Sequence, residues 1–375
     1  MEAVRISILG DICPTNDYRP LWDNGTAFDT VRELLSESDL SIVNLECPAT
    51  DCDKPITKCG PCLKAEIRDI ALVKDAGFNL ISIANNHIKD YGEKGVIDTI
   101  EACNANNVAY LGAGENSKKA KSARFFDIKN KRIGVISFAE EEFNLAYENE
   151  AGANFFDVYE SPEYIAKCKN ECDFLIVLYH GGIEHYSYPS EMLQKKCRML
   201  VRFGADAVIC QHSHCIGTYE NYEGGYILYG QGNGVYGYRS GSHAWNEGLL
   251  ITLSVSDKLL IEYTLLKATP DGIVKATDEE QNARISQLNS ESDRLTDKEF
   301  LRSEWKRFCQ KSGALNRPLF YGKGRVAIKL NRITKNRLFR FTTSRKKEMV
   351  TMNFARCDAL REVMITLLEN DVYDK

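Results

Sequence analysis

The chain has 375 residues, 43% hydrophobic and 27% charged, with a formal charge of −5. That balance excludes a disordered or fibrous polymer and allows one large domain with an appendage, or two ordinary domains. No stretch approaches the ~20 apolar residues that cross a bilayer, and the opening MEAVRISILGD lacks a signal-peptide core because its apolar run stops at Gly10-Asp11, so a cytoplasmic protein, at most peripheral to the inner membrane face, is expected.

In chain order, short β-rich runs at 4–9, 40–45, 79–84, 132–138, 174–179 and 207–210 alternate with helix-like stretches at 29–36, 64–76, 92–104, 162–169 and 190–203. This alternation predicts an α/β domain with helices packed on a sheet. Beyond Gly225 the pattern turns to strands at 226–229, 249–255 and 259–266, with Ser256-Asp257 marking a hairpin between the last two. Helical periodicity returns at 279–310 and 354–369, and the boundary is expected within 268–278, giving a domain 1–270 and a mainly helical, basic extension 271–375.

Charge is unevenly spread. Between the terminal helices the stretch 317–347, opening at Arg317 and closing at Lys347, carries eleven Lys or Arg and no acid, which leaves −16 on the remainder. Such a stretch suits anionic lipid, a polyanionic polymer, a synthase partner or a solvated face, whereas an acidic body argues against an extended nucleic-acid track. Thirteen cysteines read chiefly as small buried hydrophobes. Cys47, Cys52, Cys59 and Cys62 form a denser group that could hold a structural zinc or a redox pair, the last two in Cys-Gly-Pro-Cys, but the first two spacings fit neither a standard zinc ribbon nor a finger, so the packing reading is preferred.

The chemistry lies where the apolar runs stop. Gly10-Asp11, Asn44-Leu45-Glu46, Asn85-Asn86-His87, His180-Gly181-Gly182 and Gln211-His212-Ser213-His214 each follow a predicted strand, and loops beyond the carboxyl ends of strands are where open α/β sheets bind ligands. Four of the six histidines, His87, His180, His212 and His214, fall in these clusters. Carboxylate oxygen, imidazole nitrogen and amide oxygen together suit a two-metal site with open positions for water and substrate. A bridging carboxylate offsets repulsion between two cations, and Glu46 is the candidate. In a regular strand His212 and His214 would face opposite sides, so a loop is needed to turn both inward.

These motifs, with Glu184, Gly204-Ala205-Asp206 and Gly230-Gln231-Gly232-Asn233, span Ile6 to Gly237 and resemble the CapA, or poly-γ-glutamate capsule-synthesis, family within the calcineurin-like metallophosphoesterase superfamily. The resemblance implies a four-layer αββα sandwich. It implies that Asp11, Glu46 and His214 hold one divalent ion (Mn, Zn or Fe) and that Glu46, Asn86, His180 and His212 hold a second, with His87 as proton donor to the leaving group. Cys13 stands where the superfamily usually has a histidine, so it either ligates as a thiolate or merely packs. Asn85, Glu184, His185 and Asn233 are candidates for ligand or substrate contact. Hydrolysis of a phosphoester, or of an amide or isopeptide bond in an anionic polymer, is the expected activity. The rival expectation is a non-catalytic accessory that binds the polymer or a membrane synthase.

Overall fold

The computed structural model describes residues 2–15, 17–334, 337–338 and 344–373. Two sheets dominate. The first holds seven strands in the spatial order Gly272–Lys275, Leu259–Thr269, Glu247–Val255, Val4–Ile12, Leu40–Leu45, Leu80–Ser82 and Ala109–Leu111. The second holds six, in the order Tyr219–Tyr222, Gly225–Leu228, Ala207–Gln211, Phe174–His180, Lys131–Ala139 and Arg124–Ile128. In both, the central strands pair in parallel and are buried on both faces, which is why they read as continuous apolar runs.

Side-chain alternation builds the layers. Ile6, Ile8, Ile42 and Leu80 from the first sheet meet Ile133, Val135, Ile176, Leu178 and Ile209 from the second in one apolar core between the sheets. Leu9, Val43 and Leu45 face the other way, into a core shared with Val31, Leu35, Ile70, Val73, Val96 and Ile100 of the covering helices. On the far side of the second sheet, Ser161–Lys169 and Glu191–Arg202 bury Ile165, Leu193, Cys197 and Leu200. The result is helices, sheet, sheet, helices: the expected four layers.

A bulge in the first strand positions the first site residue. Leu9 pairs with Val43 and Asp11 with Asn44, leaving Gly10 as the extra residue. Such an insertion reverses the facing of everything after it. Ile12 therefore joins Leu9 in the helix-side core, and Asp11 turns towards the second sheet. Gly10 has no room for a side chain, since a Cβ there would sit 2.4 Å from the Gly232 carbonyl oxygen.

The division between units falls between Asp297 and Lys298, not at the expected 270/271. The reason is helix Asp278–Asp293, started by a Thr277/Glu280 capping box, which buries Leu288 in the inter-sheet core and caps Tyr219 N with Ser292 Oγ. The helix expected over 279–310 is two, Asp278–Asp293 and Lys298–Phe320, separated by a short 3-10 turn and the extended Asp297. Among its described residues the second unit is mainly helical, with Arg325–Ile333, Arg345–Arg356 and Asp358–Tyr373 following Lys298–Phe320. Among the described residues no helix is long and apolar enough to cross a membrane.

Candidate metal centre

Five strand ends converge. Glu46, one residue past Leu40–Leu45, is fully buried, and its Oε1 lies 3.3 Å from His180 Nε2, 3.9 Å from His214 Nε2 and 4.0 Å from His212 Nδ1. His180 Nε2 is also 3.0 Å from Asn86 Oδ1 and 3.2 Å from His212 Nδ1. Two sets of donors fit one ion each, Glu46 with His180 and His212, and Asp11 with Glu46 and His214, each with its donor atoms within 4.8 Å of one another. These sets share Glu46 and bring together the six residues expected as ligands, Asn86 joining through its contact with His180.

Backbone geometry explains how two histidines two positions apart serve one cluster. His212 and His214 both adopt left-handed φ, 84° and 50°, which side chains with a Cβ rarely take and which costs about 1–3 kcal/mol each. That twist replaces strand alternation, so both rings turn the same way. His185, also left-handed at 60°, donates its N–H to the Ser213 carbonyl and helps pin the turn.

Hydrogen bonds orient the donors. Asn233 gives its amide N–H to the Trp245 carbonyl, so its Oδ1, 2.8 Å away, accepts from His214 Nδ1 and leaves Nε2 facing Glu46. Asn44 donates to Asp11 Oδ1 at 2.7 Å, while the His212 N–H donates to Oδ2. Asn85 serves the loop itself: it donates to the Leu45 and Asn44 oxygens and accepts from the His87 N–H. Orienting partners of this kind set ligand tautomer and basicity.

The electrostatics call for positive charge. Burial, outweighing the neighbours that favour the charged forms, raises Asp11 to about 7, with the Glu46 carboxylate adding to the rise, and Glu46 to about 8. Burial likewise lowers His180 to about 4, His212 to about 3 and His214 well below its usual value. Both Glu46 oxygens are buried without a donor in hydrogen-bond geometry, although the nearby His87 and Tyr236 favour its charged form. Orphaned carboxylate oxygens beside three neutral imidazoles fit cations better than protons.

His87 stands apart from the ligands. Its Nδ1 meets Asp90 Oδ2 at 2.6 Å, and Lys58, 2% exposed at the side chain, binds Asp90 Oδ1 at 2.5 Å and approaches His87 Nδ1 at 3.2 Å. Nε2 is thus the nitrogen left for proton transfer. Sequence reasoning missed Asn44, Asp90 and Lys58. Asn44 sat inside a recognised motif and Asp90 three positions after His87, but Lys58 arrives from an irregular loop with no local signal. Cys13 is not among the ion-holding sets; it is 1% exposed in the helix-side core, beside Cys47, whose thiol burial and then Cys13 hold protonated. Glu184 and His185 lie half-exposed, 3.9 Å apart, with the His185 ring 6.2 Å from that of His214. No three of Cys47, Cys52, Cys59 and Cys62 form an ion-holding set among the described residues, and all thirteen cysteines are free.

Fold and centre together define a two-sheet α/β sandwich with a buried carboxylate–imidazole cluster across its strand ends. The chain belongs to the bacterial capsule synthesis protein family PGA_cap, whose profile matches residues 5–238. It is 29% identical over 252 residues, 63% of this chain, to the capsule biosynthesis protein CapA of Bacillus anthracis, and the match spans 60% of that protein's length. It is 23% identical over 316 residues to a Mycobacterium tuberculosis protein called "Probable polyglutamine synthesis accessory protein", covering 79% of this chain and 78% of that one. Among solved structures, the 5'-nucleotidase of Candida albicans superposes with a TM-score of 0.45 at 13% identity, over 72% of this chain and 53% of that one.

Proposed function

We propose that this chain is a metal-dependent hydrolase acting in the synthesis of an anionic surface polymer, of the capsule or polyglutamate kind, on a phosphoester or an amide or isopeptide bond. The observation that carries the reading is Glu46, a buried carboxylate shared by two donor sets, close to three imidazoles, with neither oxygen meeting a donor at hydrogen-bond geometry. Membership of the capsule synthesis family and the name of the Bacillus relative support the polymer setting.

Asp11, Glu46 and His214 would hold one divalent ion, and Glu46, Asn86, His180 and His212 a second. When bound, such ions lower the pKa of water and polarise a substrate oxygen. The residues of the chain do the rest. Asn233 fixes His214 so that Nε2 faces inward, and Asn44 holds Asp11. His87, braced by Asp90, delivers a proton from Nε2 to the departing group. Nearly complete burial of the cluster keeps bulk water out and strengthens each interaction within it.

The test pairs metal analysis with turnover. His180→Ala and His212→Ala are expected to lose metal, whereas His87→Ala keeps it and loses ~10²–10⁴ in rate on p-nitrophenyl phosphate or on γ-linked oligoglutamate. Full metal content and undiminished turnover in all three variants would remove the centre from consideration. A second reading, a non-catalytic accessory, draws on the Mycobacterium relative's name and on Cys13, which packs in the core where the superfamily's first motif usually offers a histidine. Metal-loaded protein that binds γ-linked polyglutamate but cleaves neither substrate would select it.

A further inference from the structure

The helical unit Lys298–Lys375 is built from a different balance of residues than the sandwich. It contains nineteen Lys or Arg against eight Asp or Glu, in a chain whose total charge is −5. Its apolar side chains also lack cover: of twenty-four large hydrophobic residues exposed among the described residues, fourteen lie beyond position 300. Excess positive charge and uncovered apolar surface thus occur in the same unit.

Helix Arg325–Ile333 brings both properties onto one surface. Positions 326, 330 and 333 share a face at helical spacing, and Val326, Leu330 and Ile333 are 75%, 48% and 69% exposed. Lys329 and Arg332, also exposed, fall on the same side of the apolar stripe at helical spacing and so line one edge of it with cations. The helix packs against Lys298–Phe320, where Phe320 is 62% exposed, and Lys323 in the intervening turn is solvent-facing.

Three occupants could cover such a face. A soluble polyanion would satisfy the cations but leave three aliphatic side chains in water. A second copy would bury the stripe but press like charges together. An anionic bilayer meets both needs, because its acyl boundary takes the aliphatic groups while its headgroups meet the ammonium and guanidinium groups. We propose that helix Arg325–Ile333 lies in the plane of an anionic membrane surface, with Val326, Leu330 and Ile333 at the acyl boundary and Lys323, Lys329 and Arg332 among the headgroups.

The full chain is sedimented with vesicles of phosphatidylcholine alone and of equal parts phosphatidylcholine and phosphatidylglycerol. Binding is expected only to the mixed vesicles, and to weaken as salt rises. Val326→Ser/Leu330→Ser/Ile333→Ser should lower the bound fraction at least about tenfold, and Lys329→Glu/Arg332→Glu should do likewise, both with unchanged circular dichroism because these side chains are exposed. No binding to mixed vesicles, or binding that the serine triple leaves intact, overturns the proposal. So does a concentration-dependent dimer, or complex formation with soluble polyglutamate, that appears without vesicle binding. Metal content, read on the same samples, reports on the sandwich separately, so failure here is distinguishable from failure of the hydrolase reading.

Discussion

Asp11 and Glu46 are held by burial at about 7 and about 8, while burial keeps His180 at about 4 and His212 at about 3. At about pH 6 the imidazoles are therefore neutral and ready to ligate, but both carboxyls carry protons that an ion must displace. Metal loading should release a proton from each carboxyl at pH 6, with affinity tightening towards pH 8 and levelling off above it. Calorimetry in buffers of different ionisation enthalpy measures that release, and a pH-independent affinity would contradict it. The same values fix the stability of the metal-free chain. A raised carboxyl pKa contributes stability that is fully present below the usual 3.8 and 4.5 and is lost as pH climbs from there to 7 and 8, whereas the lowered imidazoles cost stability only below their usual 6.5. Chelator-treated protein should accordingly melt lower at pH 9 than at pH 7, and added cation should narrow the gap.

At the scale of elements, the glycine-rich segment 230–237 is shaped by backbone packing. It lies against strands Val4–Ile12 and Glu247–Val255 through bridges at Asp11 with Asn233 and at Gly232 with Gly248. A Cβ on Gly248 would fall 1.8 Å from the Asn233 carbonyl oxygen, so Gly248→Ala must move Asn233 and, through it, His214. The expected cost is about 1–3 kcal/mol of stability with a ~10–100-fold loss of metal affinity, read by denaturant melts and metal titration. The sequence made the central strands and the strand-end motifs legible, since doubly buried parallel strands such as Phe174–His180 are continuous apolar runs ending in polar residues. It hid the short edge strands. Arg124–Ile128 and Tyr219–Tyr222 mix charge with aromatic residues and are only half-buried, so neither period stands out. The bulge at Gly10 and the left-handed histidines were equally invisible, because both arise from packing against distant chain.

For the whole molecule, the six ligand candidates and both sheets lie in the unit Met1–Asp297, as do both principal cores. A chain ending at Asp297 should therefore keep its fold and its metal affinity, which a melting curve and a metal titration on the shortened protein would check; loss of either would show that the basic helices support the centre. Asp11, Glu46 and Asn86 come from the first sheet, and His180, His212 and His214 from the second, so an ion there would clasp two halves that are also joined by aliphatic packing and a few hydrogen bonds, among them His212 N–H to Asp11 and Ser82 to Ser137. It would act as a keystone, absent until the two layers have closed on each other, and its binding would then resist their separation. Each tenfold excess of cation over its dissociation constant would add about 1.4 kcal/mol against unfolding, making the melting temperature of this protein a gauge of the cation supply around it.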